Sequence, residues 1–124
     1  FPLRAFMMMA ADGYYTFTGR EGEVIPLNAT RVRIDESLAV IPARAFFGNR
    51  HIEELDCHYG VKVVEEDACF GCRSLRRVRM PGVKEVERDA FFGCPALTDV
   101  ECGELEIIKS GAFGSCESLG SINL

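Results

Sequence analysis

Cys69-Phe70-Gly71-Cys72 is the segment whose residue types most directly suggest chemistry. Two thiols at this spacing form a redox pair in a thioredoxin-like βαβ setting, and with Cys57 and His58 upstream they offer four groups of the kind that hold zinc. Zinc requires those four to converge. The second histidine, His51, has no nucleophile or carboxylate at catalytic spacing, and both histidines read as surface residues of loops or strand ends. A second pattern is electrostatic. Arg31 and Arg33, Glu54 and Asp56, Arg77 and Arg79, Asp99 and Glu101 are pairs separated by one residue, and the sign reverses from each pair to the next before the series ends in Ser121 and Asn123.

What positions these groups is a repeat. Segments starting at Leu38, Val61, Val83 and Leu105 align without a gap, so copies run over 38–57, 61–80, 83–102 and 105–124. A period of 22 or 23 residues is the signature of a solenoid, in which each coil buries its apolar face only by stacking on the next. Counting from Ala45, Ala68, Ala90 and Ala112, one column holds Ile41, Val64, Val86 and Ile108. Others hold Ile52, Leu75, Leu97, Leu119; then Leu55, Val78, Val100, Ile122; then Cys57, Met80, Cys102, Leu124. The LxxLxL ending predicts a short strand whose apolar residues point inward while their neighbours point out, with equivalent strands pairing in parallel. On that geometry the charge pairs form two cross-strand ladders on one open face.

Just after each alanine stand Phe46, Cys69, Phe91 and Phe113, and three residues later Asn49, Cys72, Cys94 and Cys116. Asp67 and Asp89 precede the alanine where a helical turn wants an N-cap, and Gly48, Gly71 and Gly93 mark its exit. Each coil therefore reads as extended segment, short helical turn, glycine, strand. The expected class is α/β, with a parallel sheet on one face of the solenoid and short helical turns and extended segments on the other. Val40, Val63, Glu85 and Ile107 form a further stripe that faces outward if the first segment is extended.

At the front, Arg31-Val32-Arg33-Ile34 supplies a first strand. Tyr14–Thr18, the turn Gly19–Gly22 and Glu23–Pro26 read as a β-hairpin that caps the core. The chain is thus expected to be one repeat domain over 1–124, with a cap region over 1–28 and repeats over 29–124. The last copy ends without a polar cap, which leaves its edge open to further repeats or to stacking.

The columns explain five of the six cysteines as small buried hydrophobes and leave Cys69 over. No metal or cofactor is expected. Adjacent coils are close enough for Cys72 to pair with Cys94 in an oxidising compartment, but six thiols without a framework spacing favour a reducing one. An intracellular location is therefore expected, with an extracellular one left open. A net charge of −5 argues against nucleic-acid binding, and the run Ala5–Ala11 is too short to cross a membrane. Only Arg4 precedes that run, so it makes a poor secretion signal.

The recurrence of alanine, aromatic, cysteine and LxxLxL in register resembles the BspA-like leucine-rich repeats. The resemblance covers residues 29–124, with departures at Asn49, Cys69 and Gly114-Ser115. It implies a non-enzymatic repeat scaffold that binds another protein. Surface adhesins in the same family imply the alternative of an adhesin or carbohydrate-contacting module. The candidate protein-binding face is the eight-residue set Arg31, Arg33, Glu54, Asp56, Arg77, Arg79, Asp99 and Glu101.

Overall fold

The computed structural model describes residues 9–120 and 122. Most of the apolar run Ala5–Ala11, together with Arg4, Ser121, Asn123 and Leu124, lies outside them. The strands are β1 (Tyr15–Phe17), β2 (Arg31–Ile34), β3 (Val40–Ile41), β4 (Glu54–Asp56), β5 (Val63–Val64), β6 (Arg77–Arg79), β7 (Glu85–Val86), β8 (Asp99–Glu101) and β9 (Ile107–Ile108). They form two parallel sheets, one in the order β1-β2-β4-β6-β8 and one in the order β3-β5-β7-β9. Successive strands of a sheet are one coil apart in sequence, so the chain winds as a solenoid. Its core lies between the sheets, where Ile41, Val64, Val86, Leu55, Val78, Ile52, Leu75 and Leu97 are buried in the columns read from the repeat.

The helical turns are not there, and among the described residues there is no helix. The fold is all-β rather than α/β. The reason is the sign of φ. The residue before each alanine is left-handed, at Arg44 (φ 61°), Asp67 (57°), Asp89 (56°) and Gly111 (71°). So is the residue three after it, at Gly48 (69°), Gly71 (69°), Gly93 (74°) and Ser115 (54°). A right-handed helix cannot run through two left-handed residues four apart. Asp67 and Asp89 are therefore not N-caps but occupants of a conformation that aspartate tolerates better than most residues.

The backbone is satisfied in another way. Alternate N–H groups close tight turns, as Phe70 donates to the Asp67 carbonyl (3.2 Å). The others reach the next coil, Cys69 donating to Ala90 (2.6 Å) and Gly71 to Phe92 (2.8 Å). This row of turns is a third hydrogen-bonded edge of the stack.

The N-terminal hairpin is also replaced. β1 pairs with β2 in parallel, Tyr15 opposite Val32 and Phe17 opposite Ile34, while residues 23–26 form no strand. Tyr15 and Phe17 point inward and Thr16 outward, the same alternation as β2, so β1 fits the stack as one more rung. Met9 bridges Tyr15 in antiparallel fashion. Residues 18–23 are gathered by one carboxylate, because Glu23 accepts hydrogen bonds from the Tyr15 hydroxyl, Thr18 Oγ1 and N–H, and the N–H groups of Gly19 (2.8 Å) and Arg20. Partial burial opposes its ionisation, but these donors outweigh it and hold the Glu23 carboxyl below its ordinary range.

The two ends of the four-stranded sheet differ. Glu65, Glu87 and Lys109 each donate an N–H to the preceding coil, at Ile41 (3.0 Å), Val64 (2.9 Å) and Val86 (2.9 Å). Pro42 holds the same column in the first coil and has no N–H to give, which ends the ladder there. At the other end Ile108 is 44% exposed, whereas Ile41, Val64 and Val86 in its column are 0% exposed.

Candidate protein-binding face

Each strand of the five-stranded sheet from β4 onward puts one residue inward between two outward ones. Register then assembles the face. Arg31 lies opposite Glu54, Glu54 opposite Arg77, and Arg77 opposite Asp99, while Arg33, Asp56, Arg79 and Glu101 follow in the second column. All eight predicted residues therefore meet in two columns of alternating sign.

Their pairing is denser at one end. Arg79 Nε lies 3.1 Å from Glu101 and Nη1 lies 3.9 Å from Asp56, and Arg77 Nε is 3.3 Å from Asp99. The hydrogen bond to Glu101 and the charges of Asp56 and Glu101 hold the Arg79 guanidinium protonated even more firmly than usual. Arg31 and Arg33 instead turn to the cap. Both guanidinium carbons lie 4.8 Å from the centre of the Tyr14 ring, Arg31 donates to the Asp12 carbonyl (2.7 Å), and Arg33 pairs with the Asp12 carboxylate. That pairing holds the Asp12 carboxyl below its ordinary range. Glu54 is held by Arg76 (3.4 Å), which also reaches Glu53 (3.8 Å). Arg76 is thus part of the face. The signal was one residue away, because Thr30, Glu53, Arg76 and Thr98 form the column before the first ladder.

All six cysteines are buried. Three donate across coils, Cys72 to the Phe46 carbonyl (3.1 Å), Cys94 to Cys69 (3.2 Å) and Cys116 to Phe91 (3.1 Å). The cysteine column therefore fills a small apolar slot and supplies a weak donor to the carbonyl one coil back. Burial, helped by the Asp56 charge, pushes the Cys57 thiol up to about 12, far from a nucleophilic thiolate. Cys69 is raised by its hydrogen bond with Cys72 and by burial.

In the first copy Asn49 replaces cysteine and its side-chain oxygen accepts from the N–H groups of His51 (2.8 Å) and Ile52 (2.9 Å). His58 closes a corner. Its Nδ1 accepts from Gly60 N–H, so the proton lies on Nε2, which donates to the Asp35 carbonyl (3.0 Å). Beside it the Tyr59 hydroxyl donates to Glu104 (2.9 Å), two coils further on. Gly82 lies beneath, where a Cβ would sit 1.9 Å from the Tyr59 carbonyl oxygen. Among the described residues no three histidine, cysteine or acidic side chains are placed to hold a metal.

A feature not read from the sequence is the column one residue beyond the aromatic one. Phe47, Phe70 and Phe92 stack along the turn row with centroids 5.0 and 5.3 Å apart. Arg44 covers the outer Phe47 face at 3.9 Å, and Gly114 lies against Phe92 at the other end. The recurrence of phenylalanine at 47, 70 and 92, one repeat apart each time, was the signal for it. The segment that carries the Val40 stripe is extended, with Val40 and Val63 half-buried, Ile107 exposed, and Glu85 between them held by Lys109 (3.3 Å).

A family model described as BspA type leucine rich repeat region matches residues 26–124 in six copies. A leucine-rich repeat protein from Bacteroides ovatus, known from its crystal structure, aligns with a TM-score of 0.72 and 22% identity, over 86% of this chain and 29% of that one. The chain therefore spans less than a third of that protein. No curated protein matches it.

Proposed function

The chain belongs to the BspA-type leucine-rich repeat family, and from that premise we propose that it is a non-enzymatic scaffold that binds another protein through the charged face of its five-stranded sheet. The observation that carries the proposal is the register. Eight charged side chains stand in two ordered columns on a sheet whose backbone is hydrogen-bonded from β1 to β8, so the pattern is held before any partner arrives. Alternating sign suits a protein surface of mixed charge, whereas a nucleic-acid backbone calls for a continuous basic patch.

The carbohydrate-contacting alternative is less well supported. Sugar rings pack on open aromatic faces, and in the phenylalanine row those faces are taken up by one another and by Arg44. An intracellular, reducing location goes with this proposal and is favoured by six buried cysteines that lack a framework spacing.

The experiment is capture of partners by the native chain and by an Arg77→Gln/Arg79→Gln variant, with melting curves to confirm that both are folded. A partner held by the native chain and lost by the variant supports the sheet face. Equal retention by both would move the binding site elsewhere.

A further inference from the structure

The four charged rows of the sheet run basic, acidic, basic, acidic from β2 to β8. An even number of alternating rows has a property that an odd number lacks. Read in reverse, every row meets its opposite. Two copies of the face laid against each other around a two-fold axis parallel to the strands reverse the row order while preserving strand direction. Arg31 and Arg33 of one copy then oppose Asp99 and Glu101 of the other, and Glu54 and Asp56 oppose Arg77 and Arg79. All four rows are matched from both sides, as an isologous contact requires. A two-fold axis along the stack keeps the row order and sets like charge on like. Sliding one copy by a coil relieves that, but only three rows then match.

We infer that the face recognises a second copy of this chain in the reversed-row arrangement. The inference rests on the proposed role of the sheet as a binding face and names its partner. The ion pairs within the ladder do not exhaust the charges. Among the described residues Arg77 has one carboxylate partner and Arg79 two, against five N–H donors on each guanidinium, and the side chains of Arg77, Arg79, Asp99 and Glu101 remain 45%, 48%, 61% and 52% exposed. These four side chains lie on the outward side of the sheet, the side a second copy would approach.

Four strands ~4.8 Å apart and three residues long offer roughly 200 Å² per partner, well below the ~800 Å² of a stable complex. The contact is accordingly weak and transient, with its selectivity set by charge.

Sedimentation of the native chain across a concentration series tests it. Self-association is expected in the sub-millimolar range at low salt, weakening about tenfold between ~50 and ~300 mM salt as the charges are screened. A chain that stays monomeric up to about 1 mM at low salt overturns the inference. The decisive arm is a charge swap. Arg77→Glu/Arg79→Glu makes the rows basic, acidic, acidic, acidic, and Glu54→Arg/Asp56→Arg makes them basic, basic, basic, acidic. Each variant alone opposes like charges in its two middle rows and is expected to be monomeric, while an equimolar mixture matches in all four rows and is expected to associate.

A mixture that stays monomeric, or single variants that associate as the native chain does, would overturn the arrangement. If melting curves show that a reversed variant does not fold, Arg77→Gln/Arg79→Gln replaces it, and association undiminished by that neutralisation has the same meaning. A native chain that is monomeric but whose capture of a foreign protein still depends on Arg77 and Arg79 removes the self-partner and leaves the binding face standing. Indifference in both assays removes both.

Discussion

The turn row and the charged face repeat with the same period and obey opposite rules. Along the turn row three columns stack like on like. Phenylalanine meets phenylalanine at positions 47, 70 and 92, glycine meets glycine at 48, 71 and 93, and cysteine follows cysteine at 72, 94 and 116. Along the face no charged residue meets its own sign. In a parallel, in-register stack a side chain's nearest neighbour is its own counterpart about 4.8 Å away. Aromatic rings, bare backbone and thiols gain from that contact, and equal charges lose. Copied apolar columns therefore gain from stacking, whereas on this face the charges alternate with a period of two coils.

The largest effect is expected where a like-on-like column is cut in the core. Phe91 is 0% exposed and stacks on Phe113 with centroids 5.3 Å apart. Phe91→Ala should cost about 3–5 kcal/mol, enough to unfold much of so short a stack. A melting temperature unchanged by the substitution would remove Phe91 from the core. Gly93 takes a φ of 74°, and a Cβ there would find its nearest heavy atoms at 3.9 Å. Gly93→Ala should therefore cost only backbone strain, about 1–2 kcal/mol. Denaturant titration would read this directly, and a neutral result would show that the turn row tolerates a side chain in left-handed backbone.

The charged face should respond less and differently. Arg77→Glu/Arg79→Glu replaces the ion pairs to Asp56, Asp99 and Glu101 with three adjacent acidic rows, lowering the melting temperature by an amount that added salt partly restores. Arg73 is exposed and forms no ion pair among the described residues, so Arg73→Glu is the control and should do less. Arg76 cannot serve as that control because it binds Glu53 and Glu54. Equal, salt-insensitive losses from both reversals would erase the contrast between the two regions.

The smallest effect is expected at the cap. Glu23 has a carboxyl depressed in the folded state, so its contribution is present above the ordinary carboxylate range and lost as pH falls through its lower folded value. Glu23→Gln should cost about 0.5–1 kcal/mol at neutral pH, discounted for its partial exposure. Its melting temperature should converge with that of the native chain in acid. A gap that persists at pH ~2 would assign the loss to packing instead.

Much of the face was legible because it needs only two local facts. Alternation within LxxLxL says which residues point out, and the repeat says which coil lies beside which. Arg31 through Glu101 could thus be placed in columns from spacing alone. The pairing of each arginine could not. Arg31 and Arg33 chose Tyr14 and Asp12, and Glu54 was held by Arg76, because a guanidinium on a long flexible stem reaches whichever acceptor the surrounding chain presents.

The coils, their in-register parallel stacking, the inward columns and the alternating signs follow from the sequence by itself, since each is a consequence of period and side-chain polarity. Tertiary structure alone decided the form of the turn row and the cap. Asp67 and Asp89 are as acceptable before a helical turn as in left-handed backbone, and what selects the second is the neighbouring coil, whose carbonyls accept the N–H groups that a helix would have kept to itself. Tyr14–Thr18 likewise suits a hairpin or a rung. The rung wins because β2 offers a free parallel edge and a core that Tyr15 and Phe17 can close.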